Sequence, residues 1–240
     1  MRTWLLAALG LLAPALSSAQ PAPRPPTPRP IVGELFTSQG CSSCPPADAL
    51  ITSLAHARPD LLLLTFHVTY WNYLGWHDPY SLDAATARQK QYVALGISPE
   101  VYTPALIIDG RLNAIGSDST AVTAAFHQAA ATSQTAAQIT LERRGPTLDI
   151  TVSPGSGQAK LLLIGYDSQH QTHIGIGENG GRTLAETNIV RSVTTIASWT
   201  GQPLHLNLPP PPGEQFAALL QQPDGSIIGA ARLQTIPPGT

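Results

Sequence analysis

The sequence predicts an α/β domain over residues 31–133, followed by an all-β, antiparallel, sandwich-like domain over residues 138–236. Strand-like and helix-like segments alternate in the first region, whereas short β-branched segments separated by Gly, Pro and Asp turns fill the second. The length of 240 residues is enough for one large domain or two ordinary ones, at roughly 100 to 200 residues per domain. We therefore place the boundary near residues 133–137.

The first 19 residues have the pattern of a secretory signal peptide. One basic residue, Arg2, precedes an apolar run from Trp4 to Leu16, and the segment ends on small residues. This run is too short to span a bilayer comfortably. We expect cleavage after Ala19 and a periplasmic or secreted protein in an oxidising compartment. Residues 20–30 (QPAPRPPTPRP) indicate an extended proline-rich linker.

The composition excludes some classes of partner. The formal net charge is −2 and charged residues make up 12% of the chain, so no basic surface for nucleic acid or anionic lipid is indicated. No other apolar run reaches transmembrane length, and we expect no transmembrane segment after signal cleavage.

The first domain is expected to begin with a strand, a helix and a second strand. IVGELFT (31–37) is a short apolar strand. PPADALITSLAHAR (45–58) has helical apolar spacing, with its prolines in the first turn, where a missing N–H costs nothing. LLLLTFHVT (61–69) is a continuous apolar run, which predicts a central strand that is buried on both faces.

A helix, a hairpin and a final helix complete this domain. SLDAATARQKQYVALG (81–96) predicts a helix that ends at Gly96. PALIIDGRLNAIG (104–116) predicts two strands joined at Asp109-Gly110, a strong hairpin signal. SDSTAVTAAFHQAAA (117–131) predicts a capped helix. The predicted order is β-α-β-α-β-β-α.

The second domain is predicted from a series of short strands between turns. Regular spacing of such segments favours an antiparallel sandwich or barrel. The segments are QITLERR, TLDITVS, AKLLLIGYD, QTHIGIG, NIVRSVTTIASW, PLHLNL, EQFAALLQ and SIIGAARL.

The chain has two cysteines, Cys41 and Cys44, and their spacing admits several roles. A disulfide that closes so small a ring stabilises by only about 2 kcal/mol, which makes it a weak staple. Structural zinc needs four ligands, and there is no second cysteine pair, so we assign no metal ligands. Copper(I) accepts soft thiolates at low coordination number and remains an alternative.

A redox role explains more of the pattern. The pair lies between an apolar strand and a helix, which places Cys41 near a helix N-terminus, where the macrodipole favours a thiolate. A thiolate there can attack a partner disulfide, and Cys44 can then resolve the mixed disulfide.

The element order, the Cys-x-x-Cys after the first strand and VYTPALIIDG (101–110) together resemble a thioredoxin fold. The resemblance implies that Pro104 is a cis-proline beside the cysteines. It also implies that the backbone edge of Thr103 pairs with an extended substrate by strand addition. The first domain is therefore expected to be thioredoxin-like.

The chain resembles more closely the DUF1223 family of secreted proteins. The motifs that carry this resemblance are VGELFTSQGCSSCPPAD, FHVTYWNYLGWHDPYS, TARQKQYV, VYTPALIIDGR and GENGGRTLAETNIVR, and they extend over nearly all of the expected mature chain. The resemblance implies a thioredoxin-like domain followed by a β-rich domain.

An aromatic loop and a buried acid supply further candidates. Tyr70, Trp71 and Trp76 follow the second strand and are predicted to bind an apolar partner beside Cys41, or else to form a small packed core. Glu34 lies in an apolar strand and is predicted to accept a proton as Cys44 attacks, or else to be a hydrogen-bonded structural acid.

Two other features favour ordinary structural roles. His67 and His77 lie beside aromatic residues and are interpreted as packed or solvated, with assistance to a thiolate or copper binding as the alternative. The segment GENGGRTLAETNIVR (177–191) is interpreted as a loop held by Glu–Arg pairing, with docking onto the first domain or onto a partner as the alternative.

Together these patterns favour a secreted thiol–disulfide oxidoreductase that acts on protein or peptide thiols and disulfides. It would need a redox partner but no cofactor beyond its own disulfide. The alternatives are a copper-binding or copper-delivery protein that uses the same thiolates, and a binding module in which the disulfide only orders a loop.

Overall fold

The computed structural model describes residues 29–233. The predicted signal peptide and residues 20–28 of the predicted linker lie outside the described residues, as do residues 234–240. Between residues 29 and 233, no helix is both long enough and apolar enough to cross a membrane.

The first half of the chain has the predicted order of elements, β-α-β-α-β-β-α, with one added 3-10 turn at Asn72–Leu74. Two prolines occupy the first turn of the first helix, and Asp118 caps the third helix by accepting from Thr120 N and Ala121 N. The elements are β1 (Ile31–Thr37), α1 (Pro45–Ala57), β2 (Leu61–His67), α2 (Asp83–Ala94), β3 (Ala105–Ile108), β4 (Leu112–Ile115) and α3 (Ser119–Thr132).

The second half consists of strands, two of which are much longer than predicted. The predicted short strands in residues 159–173 merge into one strand of 15 residues, which pairs with a neighbour of 17 residues. The strands are β5 (Ile139–Arg144), β6 (Thr147–Val152), β7 (Ala159–His173), β8 (Thr183–Trp199), β9 (Leu204–Leu208), β10 (Gln215–Gln221) and β11 (Ile227–Arg232).

The predicted fold class, an α/β thioredoxin-like domain followed by a separate all-β sandwich-like domain, is wrong. The two halves share one mixed eight-stranded sheet in the order β11-β10-β7-β8-β2-β1-β3-β4, and β8 joins β2 in parallel. At this seam Thr65 Oγ1 donates to the Thr187 carbonyl (2.7 Å), and Asn188 Nδ2 donates to the Leu63 carbonyl (2.8 Å). These partners are 122 and 125 residues apart in sequence. The local pattern of apolar residues and turns in either segment therefore gives no sign that they pair.

The hydrophobic core also crosses the seam. Alternate residues of β1 face opposite sides of the sheet, so Val32 and Phe36 enter one cluster and Ile31 and Leu35 the other. The cluster on the α2 side is continuous with buried residues of β7, β8, β10 and β11. A second sheet, in the order β5-β6-β9, packs on the opposite face of the strands from the second half.

A close backbone contact joins the β3–β4 turn to the β10–β11 turn. Gly110 has φ +63°, and a Cβ at this position would lie 1.9 Å from the carbonyl oxygen of Gly225. Beside it, Arg29 makes two hydrogen bonds to the Asp109 carboxylate (2.9 and 2.7 Å) and one to the Ile227 carbonyl (2.9 Å). The two halves therefore meet here as well as at the β2–β8 seam.

Candidate functional site

Cys41 and Cys44 form a disulfide immediately before α1, with their Cα atoms 5.4 Å apart. Cys44 is the N-cap of α1, and its carbonyl accepts from the N–H groups of Ala47 (2.8 Å) and Asp48 (3.1 Å). Both cysteines are buried, whereas Ser42 and Ser43 between them are exposed. The pair thus lies under a short surface loop at the positive end of a helix dipole.

The segment before β3 lies against the first cysteine. Cys41 Sγ is 4.0 Å from the Thr103 carbonyl oxygen and 3.4 Å from Ser43 Oγ. The Thr103–Pro104 peptide bond is cis. The structure therefore brings Thr103 and Cys41 together, while the catalytic roles assigned to Cys41, Cys44, Thr103 and Pro104 stay predictions.

Two of the three predicted aromatic binding residues contact segments next to the disulfide. Trp71 Nε1 donates to Thr103 Oγ1 (2.8 Å), and Trp76 Nε1 donates to Gln39 Oε1 (3.0 Å). Tyr70 instead donates its hydroxyl to Gln89 Oε1 (3.1 Å), on α2. The two tryptophans therefore support the disulfide region, and substrate binding by all three side chains stays a prediction.

The glycine-rich loop between β7 and β8 docks on the disulfide loop. Asn179 is buried, and its Nδ2 donates to the carbonyls of Gln39 and Cys41, both at 2.9 Å. Arg182 donates to Asn179 Oδ1 (2.8 Å). Glu178 accepts from the Ser42 N–H (3.1 Å), and hydrogen bonding by the Ser42 side chain and backbone lowers the pKa of the Glu178 carboxyl.

The sequence of residues 177–191 allowed two interpretations. The observed contact corresponds to the second, in which this segment docks onto the first half of the chain. In the other interpretation, Glu–Arg pairing holds the loop, whereas here an asparagine makes the central bonds.

Behind the disulfide loop lies a buried cluster of three carboxyl groups and one imidazole. His67 ends β2, Asp78 lies in the following loop, Glu186 is in β8 and Asp48 is in α1. His67 Nδ1 is 2.7 Å from Asp78 Oδ2, and His67 Nε2 is 3.6 Å from Glu186 Oε1. Gln39 links the cluster to the disulfide loop, because its Nε2 donates to Glu186 Oε2 (2.7 Å) and its N–H donates to Asp78 Oδ2 (2.9 Å).

The buried groups shift one another's protonation. Burial raises the pKa of Asp48 to about 7, and the Glu186 carboxylate adds to the rise. Burial disfavours a charged His67, but Asp78 and Glu186 outweigh it and raise the pKa of His67 to about 9. Burial likewise raises the pKa of Glu186, whereas the bond to His67 overcomes burial and lowers the pKa of Asp78. The cluster thus holds protons at neutral pH, because burial and the mutual repulsion of the carboxylates disfavour their full ionisation.

Glu34, the predicted proton acceptor, has other partners. Arg88 donates to both of its carboxylate oxygens (2.6 and 3.0 Å), and the Tyr92 hydroxyl also bonds to it. None of the hydrogen bonds that Glu34 makes within residues 29–233 goes to a cysteine. These contacts are those expected of the alternative prediction, in which Glu34 is a hydrogen-bonded structural acid. No contact of Glu34 in the described part of the chain supports the predicted catalytic role.

Sequence reasoning missed the buried cluster, although signals were present. His67 ends a continuous apolar strand, and Asp48 shares the buried face of α1 with Ala47 and Ile51. A charged residue on a buried face needs a charged or hydrogen-bonding partner. His67 and Asp48 could therefore have been identified from the sequence as members of a buried polar cluster. Exposed His77 conforms to the solvated interpretation, whereas His67 is packed and also ion-paired.

Comparisons with known proteins agree with the sequence resemblance. The family model "Protein of unknown function (DUF1223)" matches residues 32–221, and the chain belongs to this family. The crystal structure of protein AGR_C_4864 from Agrobacterium tumefaciens is similar, with 30% identity, a TM-score of 0.75, and coverage of 86% of this chain and 95% of that one.

A more distant likeness concerns the fold alone. HBP35 of Porphyromonas gingivalis superposes with a TM-score of 0.60 at 13% identity, over 85% of this chain and 74% of that one. None of the curated proteins matches the sequence.

Proposed function

We propose that this protein is a thiol–disulfide oxidoreductase that acts outside the cytoplasm through Cys41 and Cys44. The observation that carries the proposal is a Cys-x-x-Cys disulfide immediately before α1, with Cys44 as the N-cap and Cys41 Sγ beside the Thr103 carbonyl. A helix N-terminus stabilises a thiolate, which is the reactive form of cysteine.

The exchange balances as two successive displacements. A partner thiolate attacks Cys41 Sγ, the bond between Cys41 and Cys44 breaks, and Cys44 leaves as a thiolate at the start of α1. A second partner thiolate then attacks the partner sulfur of the mixed disulfide, and Cys41 leaves as a thiolate. The partner loses two electrons as its disulfide forms, and the protein gains them as a dithiol. In the reverse direction Cys41 attacks and Cys44 resolves.

A partner must reach a sulfur that the surrounding loops cover. Ser42 and Ser43 are exposed, whereas Cys41 and Cys44 are buried beneath them, so the disulfide loop has to shift when a partner approaches. We expect the partner peptide to lie along the backbone edge of Thr103 with Trp71 and Trp76 beside it.

The alternative function, copper binding through the same thiolates, has less support. A histidine directed at the cysteines would favour copper. The buried His67 instead directs Nδ1 to Asp78 and Nε2 to Glu186. We therefore favour thiol–disulfide exchange.

The two cysteines have different roles in this proposal, and a trapping experiment separates them. Cys44→Ser leaves Cys41 free to attack but removes the resolving thiol, so mixed disulfides should accumulate with peptide or protein disulfides. Cys41→Ser, which removes the attacking thiol and leaves only the resolving Cys44, is the matched control and should trap few. Mixed disulfides would be counted by mass spectrometry after alkylation. Equal trapping by both variants, or by neither, would rule out these roles.

A further inference from the structure

We propose that the buried cluster of His67, Glu186 and Asp48 is a binding site for one divalent transition-metal ion, and that Zn²⁺ suits its ligands. The site is separate from the cysteine thiols and would exist whether or not the disulfide exchanges. Four observations support it: unpartnered polar atoms, a ligand-like distance, fixed ligand orientations and an excess of carboxyl groups over basic groups.

The first observation concerns buried polar atoms that lack hydrogen-bond partners. Over residues 29–233 there are six such side-chain atoms, and four belong to this region: Thr37 Oγ1, Asp48 Oδ1, His67 Nε2 and Glu186 Oε1. An unsatisfied buried polar group is costly, and a bound ion or water at such a place would satisfy several of these atoms at once.

The second observation is the spacing between His67 and Glu186. Their Nε2 and Oε1 atoms are 3.6 Å apart, which is too long for a hydrogen bond. Two ligand atoms at roughly 2.0–2.2 Å from a tetrahedral Zn²⁺ lie about 3.4 Å from each other. The spacing is therefore close to that of two ligands on a common ion.

The third observation is that neighbouring groups already hold these two ligands in place. Asp78 Oδ2 is 2.7 Å from His67 Nδ1 and leaves Nε2 directed at Glu186. Gln39 Nε2 is 2.7 Å from Glu186 Oε2 and leaves Oε1 directed at His67. A carboxylate on the far nitrogen of a histidine is the usual support of a histidine that binds zinc.

The fourth observation is charge. Three carboxyl groups are buried together with a single imidazole, so a divalent cation would compensate carboxylate charge that the imidazole alone cannot. In this structure the Asp48 carboxyl oxygens do not yet converge with His67 Nε2 and Glu186 Oε1, so Asp48 supplies the third ligand, and the second carboxylate, only after a side-chain movement toward the pair. Thr37 Oγ1 or a water then completes four-coordination.

A second group of potential ligands serves as the control. The ligand atoms of Asp167, His170 and Glu214 lie within 4.8 Å of one another near the surface. These groups already have partners, because Asp167 Oδ2 is 3.0 Å from His170 Nε2 and Glu214 Oε2 accepts from the Ser168 N–H. We therefore expect no tight binding there.

The test uses the oxidised protein, in which the disulfide removes both thiolates as ligands. The protein is unfolded in chelator, refolded with or without Zn²⁺, separated from free metal, and measured for zinc content and thermal stability. We expect one Zn²⁺ per chain and a higher Tm. Refolding with Co²⁺ should give the visible absorption of a tetrahedral N/O site.

Matched variants locate the binding. Asp48→Asn and Glu186→Gln should each lower the Zn²⁺ affinity more than about tenfold, whereas His170→Gln should leave it unchanged. Asp48→Asn should fold, since asparagine keeps the size of the side chain and removes a carboxyl whose ionisation burial disfavours. No zinc in the refolded wild type, unchanged affinity in Asp48→Asn, or loss of binding in His170→Gln would each overturn the proposal. None of these results would bear on cysteine exchange.

Discussion

Replacing Gly110 with alanine tests the contact that joins the two halves into one fold. A Cβ there would lie 1.9 Å from the Gly225 carbonyl oxygen and 2.9 Å from the carbonyl carbon, so the backbone of one turn must move by more than 1 Å, by a rough van der Waals estimate. Gly110 also has φ +63°, which costs an alanine about 1–2 kcal/mol. The two effects together should cost more than about 4 kcal/mol, in the range of exceptional substitutions.

Gly145 provides a matched control for the backbone term. Its φ is +60°, nearly that of Gly110, but a Cβ there would meet nothing within 4 Å. Gly145→Ala should therefore lose only about 1–2 kcal/mol. Urea unfolding of the wild type and both variants, followed by circular dichroism, gives the free energies of unfolding. Equal losses in the two variants would refute the close contact between the β3–β4 and β10–β11 turns.

Two further predictions concern the buried acids. Glu34→Gln removes the charged partner of buried Arg88 and should cost about 3–5 kcal/mol of unfolding free energy, against less than about 1 kcal/mol for Glu142→Gln at an exposed ion pair. The folded Glu34→Gln variant should keep the wild-type rate of thiol exchange, and a slower rate would support the catalytic role. In the folded wild type the pKa of Asp48 is raised from 3.8 to about 7, so folding becomes less favourable as pH rises between these values and the unfolded chain ionises first. Asp48→Asn lacks this carboxyl. In chelator, it should therefore be increasingly more stable than the wild type over the same pH range. The gain should be small near pH 4 and approach an upper limit of ~4 kcal/mol above pH 7; a gain that does not vary with pH would contradict the raised pKa.

Local sequence patterns were sufficient for the elements of the first half. Apolar runs, first-turn prolines, a capping aspartate and the Asp109-Gly110 turn are short-range signals, and the predicted β-α-β-α-β-β-α order is confirmed. They also placed the cysteine pair directly before α1, where the structure has the disulfide.

The joining of the two halves could not be predicted in the same way. Ile189 pairs with Thr65 across the seam, and Arg29 binds the carbonyl of Ile227. Such pairings depend on the hydrophobic cluster that both halves share, and they leave no periodicity within either segment. After Thr132 the sequence changes from alternating helix-like and strand-like segments to short strand-like segments only. This change suggested a second domain, although one sheet contains strands from both halves of the chain.

The buried cluster shows the same limit at the level of single residues. Asp48, His67, Asp78 and Glu186 come from four different segments, and only the fold brings them together. Sequence reasoning did select a buried acid, Glu34, on the correct premise that an acid in an apolar strand is unusual. It could not identify the partner, because Arg88 is 54 residues away on α2.

The reduction potential of the Cys41–Cys44 disulfide is the most direct test of the proposed function. The protein would be equilibrated with glutathione or dithiothreitol buffers of graded potential, then alkylated and resolved by mass. If the pair exchanges with partner thiols, its potential should fall between about −270 and −120 mV, the range of known exchange catalysts. A potential below about −300 mV would identify a structural disulfide and contradict the proposed function.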